Sequence, residues 1–257
     1  MVDLIFGNGS SAAEFHEGSG LVPLPVPAPG IHPVQAKAGQ GVSYVLMSNG
    51  NLYEYVDHIG TSSGTTVSGV LASNVRSIDA GTDGDGVNMV AFVRTDSYSY
   101  SITIDGRPLT YHYVSSDAYE LSDSVSSING QPSLIASGVQ SVSAGQQGNI
   151  AYVTTGGAAY WYSTVTGTTT FEATGVAAIT AGTDNSGYLI LDMLFTNGNL
   201  SQSEGGGLWV SVERNGGVAS IGKAHDGVLD LVFSGGYAYI DGYNGLAFLS
   251  SNATRAA

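Results

Sequence analysis

The chain has 257 residues, and its composition excludes several classes of protein and site. It contains no cysteine, so disulfides, thiolate catalysis and cysteine metal sites are absent. Its formal net charge is −14, with 21 acidic against 7 basic residues, and such a chain repels phosphate backbones and anionic lipid. The longest strongly apolar run, residues 188–195, is far shorter than the roughly 20 residues that cross a bilayer. We therefore expect neither nucleic-acid binding nor membrane insertion.

The N-terminal segment, residues 1–33, contains one strand candidate at Asp3 to Phe6 and then a proline-rich approach from Pro23 to Pro33. Proline cannot donate a ladder hydrogen bond, so this approach does not suit a central strand. We expect segment 1–33 to supply a strand that closes a ring of sheets and then to lead into the first repeat.

From Val34 onward, one imperfect frame recurs five times, each time as a strand-like run that ends near an alanine and glycine pair. The five copies are VQAKAG ending at Gly39, VRSIDAG ending at Gly81, VQSVSAG ending at Gly145, VAAITAG ending at Gly182 and VASIGKA ending at Ala224. A short polar loop follows each frame, and then an apolar alternating stretch, a glycine-rich turn, a stretch that mostly carries tyrosines and a weaker fourth stretch. Four strands in roughly 40 residues is the size of a propeller blade.

The sequence therefore predicts an all-β fold, with one β-propeller domain over residues 1–257 and five blades of four antiparallel strands. The second repeat is longer than the others, and its extra length falls within residues 104–133. We interpret these residues as a hairpin or loop inserted into the second blade. A sixth, degenerate blade is the alternative.

The repeat unit V-x-x-I-x-A-G, followed by a short loop, an apolar strand, a glycine and Y-x-W/Y, resembles the repeats of the regulator of chromosome condensation family. The resemblance runs from about Val34 to Asp241, and residues 6–10, Phe-Gly-Asn-Gly-Ser, are similar to that family's tryptophan-glycine-asparagine junction. The family's usual histidine after the alanine-glycine pair is missing, and only His225 comes near that position. The resemblance implies a propeller architecture and a binding role. Members that exchange nucleotide on a small GTPase and dock on chromatin form seven-bladed rings, so we do not expect that activity in a chain of five repeats.

The loops after the frames are the predicted binding surface, because they recur at the same end of every blade and differ in polar content. The candidate binding residues in these loops are Asp83, Asp85, Gln146, Asp184 and Asp226. Three aspartates, Asp79, Asp83 and Asp85, have a spacing that could offer oxygen ligands to calcium. A turn in which aspartate side chains cap backbone amides explains the same residues. Calcium is the one cofactor that the sequence leaves open.

Trp161 and Trp209 are candidates for stacking on sugar rings, since an aromatic face with a polar edge suits carbohydrate. The aromatic residues alternate along the predicted strands, and this pattern also fits packing between blades. Both interpretations of the two tryptophans stay open at this point.

We find no catalytic constellation in the sequence and expect no enzyme. The five histidines are scattered, and no paired aspartate or glutamate motif is present. We expect a non-catalytic recognition or structural module in an extracellular, cell-surface or virion-surface assembly, with protein or glycan as its partner. A lectin-like propeller that binds glycans is the alternative, and an enzyme that draws carboxylates from several blades is a third hypothesis.

Overall fold

The regular structure of the described residues consists of β-strands, which confirms the predicted all-β class. The computed structural model describes residues 2–5, 12–16, 20–23, 29–38, 42–56, 66–104, 107–122, 132–183, 188–204, 208–210, 217–222, 229–233, 238–242 and 245–250. Within these residues there is no helix of the length and apolarity that crossing a membrane requires.

The strands of the described residues form five four-stranded antiparallel sheets and one three-stranded sheet. The three-stranded N-terminal sheet contains β1 (Val2–Ile5), β2 (Ala12–His16) and β3 (Gly20–Pro23). The first four-stranded sheet contains β4 (Pro33–Ala38), β5 (Val42–Met47), β6 (Leu52–Val56) and β7 (Thr66–Ala72). The second contains β8 (Val75–Thr82), β9 (Asn88–Ile104), β10 (Arg107–Ser122) and β11 (Ser133–Ala136). The third contains β12 (Val139–Ala144), β13 (Asn149–Thr154), β14 (Ala159–Ser163) and β15 (Thr168–Ala173). The fourth contains β16 (Val176–Thr183), β17 (Leu189–Phe195), β18 (Leu200–Glu204) and β19 (Leu208–Val210). The fifth contains β20 (Val218–Ile221), β21 (Leu229–Phe233), β22 (Ala238–Gly242) and β23 (Gly245–Ser250).

Each four-stranded sheet begins with the strand that carries a copy of the repeated frame, and its strands are hydrogen-bonded in chain order. The extra length of the second repeat lies in β9 and β10 of the second sheet, while residues 123–131 lie outside the described residues. The N-terminal segment contains three strands where the sequence predicted one, and β1 pairs with β2. Closure of a ring by this segment stays a prediction.

The chain divides into two compact units. The first comprises Met1–Ile78, Phe92–Glu120 and Pro132–Val139, and the second comprises Asp79–Ala91, Leu121–Gln131 and Gln140–Ala257. In the first unit β1 lies beside β4. The Gln35 side chain there binds the backbone of Ile78, because its Nε2 donates to the Ile78 carbonyl at 2.8 Å and its Oε1 accepts from the Ile78 amide at 3.1 Å. In the second unit an apolar cluster packs residues of the third and fourth sheets together, with Val153, Ile179 and Met193 among its buried members.

The turns between the second and third strands follow one design in three of the sheets. Gly50, Gly157 and Gly198 have φ angles of +81°, +78° and +81°, which only glycine adopts without strain. Each of these glycines donates its amide at 2.9 Å to the carbonyl of the residue three positions earlier. The glycine-rich turns that the sequence predicted at these positions are confirmed.

Adjacent frame strands of the second unit approach each other closely at the frame glycines. A Cβ atom on Gly81 would overlap the carbonyl oxygen of Gly145, and one on Gly145 would lie 3.3 Å from the Cβ of Ala181. The amide of Thr82 donates to that same Gly145 carbonyl at 3.1 Å. At Gly81 a glycine is therefore required by the space between the second and third sheets.

A chain of polar contacts crosses the same sheets beside these glycines. The Oδ2 atom of Asp79 accepts hydrogen bonds from Ser143 Oγ at 2.8 Å and from the Ala144 amide at 2.9 Å. Ser143 Oγ in turn accepts from the Ala181 amide at 3.0 Å. Asp79 and Ser143 are buried and occupy the same position of their frames, so this frame position links the second sheet to the third and the third to the fourth.

We predict that Gly81→Ala lowers the free energy of unfolding by about 1–3 kcal/mol, because the added methyl group overpacks a contact with backbone that cannot rotate away. Gly156→Ala is the matched control: its nearest neighbour beyond the adjacent residues is 3.9 Å away, and the change should stay within about 0.5 kcal/mol. Chemical denaturation of both variants checks the prediction. Equal losses in the two variants would contradict the close approach.

Candidate functional site

Three loops of the second unit meet at the end of the frame strands. They are residues 83–87, between β8 and β9, residues 145–148, between β12 and β13, and residues 164–167, between β14 and β15. We call these three loops the frame-end rim. The Gly148 amide donates to the Thr82 carbonyl at 2.7 Å, and the Thr164 amide donates to the Gly148 carbonyl at 2.8 Å. Backbone hydrogen bonds thus fix the loops to one another.

Asp83 has a structural role in the rim. Its Oδ1 atom accepts the amide of Asp85 at 3.0 Å and the amide of Val87 at 2.9 Å, and the residue is only 7% exposed. A residue of the predicted binding surface should be exposed, and for Asp83 that expectation is wrong. An aspartate that caps two amides of its own loop turns its carboxylate toward the backbone and away from solvent.

The exposed part of the rim combines polar side chains with one large apolar side chain. Asp85, Gln146 and Gln147 are exposed, and Val165 is 66% exposed. Val165 packs over Gly84, where a Cβ atom would overlap its methyl group. Rigid loops that present an apolar residue among hydrogen-bonding groups suit recognition of another molecule.

The backbone beneath these side chains is held in one conformation. Gln147 has a φ of +58°, which is uncommon for a residue with a side chain, and its amide donates to Thr82 Oγ1 at 3.3 Å. The carbonyl of Gln146 accepts from Asn149 Nδ2 at 2.9 Å. These hydrogen bonds therefore hold the backbone that carries the exposed side chains of Gln146 and Gln147.

The three aspartates proposed as calcium ligands have different surroundings. Asp79 contacts Ser143 and Ala144 in the polar chain described above, whereas Asp83 caps its own loop. Among the residues that the structure describes, no three histidine, aspartate or glutamate side chains are grouped so that they could hold a metal ion. Calcium binding by Asp79, Asp83 and Asp85 stays a prediction.

For three other candidate residues the structure describes either nothing or the backbone alone. Asp184 and Asp226 lie outside the described residues. Trp209 lies in β19, where its backbone pairs with Ser203. The proposed binding roles of these residues stay predictions.

Trp161 is partly buried and packs against the apolar cluster of the third and fourth sheets. Its indole N–H donates a hydrogen bond to the Glu172 carboxylate, which lowers the pKa of that carboxyl, but burial has the larger effect and raises it. On the same sheet Tyr152 stacks on Tyr160, with 5.3 Å between the ring centroids. Tyr160 also makes an edge-to-face contact with Phe171, with 5.5 Å between the centroids. The packing of Trp161 agrees with the interpretation of packing between blades, whereas the tyrosine and phenylalanine contacts lie within one sheet. Sugar stacking by Trp161 stays a prediction.

Sequence reasoning missed Thr164 and Val165 as members of the rim. Thr164 joins it through its amide, which donates to the Gly148 carbonyl, and such a backbone contact leaves no mark in the local sequence. Val165 does carry a signal, because it is the one large apolar residue in the turn Thr164-Val165-Thr166-Gly167.

Comparisons with solved structures place this architecture among known proteins. Prp20p from Saccharomyces cerevisiae, described with its binding properties to Gsp1p and histones, superposes with a TM-score of 0.61 at 12% identity, over 91% of this chain and 68% of that chain. Yeast RCC1 (Prp20) bound to Kap60 gives a TM-score of 0.57 at 13% identity, over 88% and 60% of the two chains. The fold is a β-propeller. The resemblance to regulator of chromosome condensation repeats is confirmed at the level of fold, and each four-stranded sheet has the form of a propeller blade. The number of blades, five or six, stays a prediction.

A third solved structure, BBS1N in complex with ARL6DN, gives a TM-score of 0.56 at 15% identity, over 95% of this chain and 74% of that chain. No protein-family model matches the sequence. No curated protein matches it either. At such low identities the propeller likeness establishes architecture, and the surface of the rim has to be interpreted from its own residues.

We predict that Asp83→Ala lowers the free energy of unfolding by about 1–3 kcal/mol, because two loop amides lose their acceptor. Asp85→Ala, at an exposed neighbour, should change it by no more than about 0.5 kcal/mol. Thermal and chemical denaturation measure the free energies of unfolding of the two variants. If Asp85→Ala is the more damaging substitution, the capping role of Asp83 is wrong.

Proposed function

We propose that the chain is a non-catalytic β-propeller module that recognises a protein partner through the frame-end rim. The observation that supports this proposal is the set of three loops cross-linked by backbone hydrogen bonds, which present Val165 among exposed polar side chains. Preorganised loops bind without a large entropic cost of ordering. An apolar contact surrounded by hydrogen-bonding groups is the usual composition of a protein interface.

The two buried carboxylates of this region, those of Asp79 and Asp83, favour recognition over catalysis. Asp79 is engaged by Ser143 and Ala144, and Asp83 is engaged by two amides of its own loop. A general acid or base has to reach a substrate proton, and neither carboxylate is directed outward.

The charge of the chain suggests the chemistry of the partner. With a net charge of −14, the protein attracts basic surfaces over distances of about a Debye length and repels acidic ones. We therefore propose a partner with a basic surface. We place the chain, which is acidic and has only two lysines, Lys37 and Lys223, in a cell-surface, extracellular or virion-surface assembly, where it has a recognition or structural role. Several propellers of similar architecture are described with protein partners, among them Prp20p with Gsp1p and histones, and BBS1N with ARL6DN.

Binding of the purified full chain to a displayed library of random peptides, in parallel with a glycan array, tests this function. We expect the library to enrich peptides that combine lysine or arginine with an apolar residue, and we expect no glycan to bind at comparable affinity. Glycan binding without peptide enrichment would replace the proposal by the lectin-like alternative.

A pair of double variants locates the binding surface. In Gln146→Ala/Val165→Ser, the affinity for the enriched peptide should fall at least about tenfold in calorimetric titration, equivalent to about 1.4 kcal/mol, because the apolar contact and a hydrogen-bonding group are lost. Ser137→Ala/Thr155→Ala is the matched control at the opposite ends of the strands, where both residues are exposed, and it should bind like the parent. Full affinity in the first variant would show that the rim is not the binding surface.

A further inference from the structure

The third sheet ends in an outer strand whose edge is exposed. β15 is last in the strand order of this sheet and, among the described residues, pairs with β14 alone. Its first four residues, Thr168–Phe171, are all exposed. Successive side chains of a strand point to opposite faces, so four exposed residues in a row mean that solvent reaches both faces and the edge between them. β15 therefore presents its outward backbone amides and carbonyls to any strand that approaches.

This edge is regular, whereas the outer strands of the other sheets are short or irregular. Thr168–Phe171 pair residue for residue with Tyr160–Ser163 of β14. The register shifts only after Phe171, where Glu172 forms a bulge. By contrast, β7 shifts register twice against β6, while β11 has only four residues and β19 has three. Short length and irregular pairing protect sheet edges, and β15 has neither over these four residues.

Charge does not protect the edge of β15 either. The strand contains no lysine, arginine or proline, and Glu172 is its one charged residue. The Glu172 carboxylate lies at the bulge and accepts a hydrogen bond from the Trp161 indole of the same sheet. The stretch Thr168–Phe171 is therefore uncharged, regular and exposed, and this combination favours the addition of a strand.

An aromatic row crosses the third sheet and stops at this edge. Tyr152 of β13 stacks on Tyr160 of β14, and Tyr160 makes its edge-to-face contact with Phe171 of β15. Exposure rises along the row, because Tyr152 is 5% exposed, Tyr160 is partly buried and Phe171 is 54% exposed. The Tyr152 hydroxyl also shares a hydrogen bond with the Thr169 side chain. A strand added to β15 would place a side chain beside Phe171 and continue the row.

The edge is continuous with the frame-end rim. The rim loop 164–167 leads directly into β15, and Val165 is exposed two residues before the regular stretch ends the loop. The Ser163 carbonyl accepts the Gly167 amide at 2.8 Å, which holds the loop closed. A partner segment that contacts Val165 can thus continue along Thr168–Phe171, a length of about 13 Å at about 3.3 Å per residue.

The net charge of the chain indicates which strand occupies this edge. A second copy carries the same charge of −14 and is repelled, whereas a basic segment is attracted. We propose that an extended segment of the basic partner pairs with β15 as a fifth strand, with an aromatic or β-branched side chain beside Phe171. The proposal rests on the proposed function, since the same partner binds the rim. Backbone hydrogen bonds along Thr168–Phe171 supply affinity, and the contact with Phe171 supplies selectivity for the sequence of the segment.

Backbone methylation of the bound peptide tests this pairing without altering the protein. The probe is the tightest-binding peptide from the displayed library, synthesised with one N-methyl group at each position in turn. A paired strand donates alternate amides to its neighbour, so the affinity should fall at least about tenfold at every second position and less than about threefold between them. A uniform effect, or a loss at one position alone, would overturn the proposal.

Phe171→Thr tests whether the segment lies on β15. Threonine keeps the strand preference of this position but removes the aromatic contact, so the affinity for the same peptide should fall about three- to fivefold. The circular dichroism spectrum should not change. Leu134→Thr is the matched control on β11, where the leucine is 58% exposed, and it should bind like the parent. Full affinity in folded Phe171→Thr would contradict strand addition at β15.

The outcomes separate this proposal from the proposed function. If Gln146→Ala/Val165→Ser weakens binding but methylation shows no alternation, the rim binds the partner and strand addition is wrong. If the library yields no peptide, the proposed function fails and this proposal fails with it.

Light scattering of the full chain tests a second copy as the occupant. The parent should have the mass of one chain, because copies of like charge repel each other. A parent dimer that Phe171→Thr converts to a monomer would show that a second copy pairs with β15, and the proposal of a basic partner segment would be overturned.

Discussion

The second and third blades meet at backbone contact distance at Gly81, the glycine that ends the second frame. At Gly81 the next blade's Gly145 carbonyl occupies the space where any side chain would begin, and the Thr82 amide binds that carbonyl. Close approach lets polar groups of one blade reach the backbone of the next. The Asp79 carboxylate and the Ser143 hydroxyl bind the amides of Ala144 and Ala181 in this way. A buried amide without such an acceptor would cost about 1–3 kcal/mol, so the contact and its polar chain depend on each other.

The geometry of the frame-end rim is a consequence of the same contact. Because the frame strands end side by side, the loops that follow them meet, and the Gly148 amide reaches the Thr82 carbonyl. The rim is therefore as rigid as the packing beneath it.

Local patterns predicted the elements that depend on local chemistry. The frames became the first strands of the four-stranded sheets, and the glycines expected at tight turns have positive φ at Gly50, Gly157 and Gly198. Asp192 interrupts an apolar run, yet the run is a buried strand because Gln202 Nε2 donates to its carboxylate at 2.8 Å. Contacts between sheets could not be predicted in this way. The burial of Asp83 depends on the path of its loop. The second and third strands of the N-terminal sheet show too little alternation of apolar and polar residues to be recognised from sequence.

Native-state hydrogen exchange of individual amides measures the packing between blades most directly. If the frame contacts hold the blades together, the amides of Ala144 and Ala181, whose acceptors are side chains of the preceding blade, exchange only when the whole domain unfolds. Their exchange free energies then equal the global free energy of unfolding and exceed those of the outer strand β15. Exchange of Ala144 and Ala181 at the rate of the solvent-facing amides of Thr168–Ala173 would contradict this packing, since it would mean that the blades separate while each sheet stays folded.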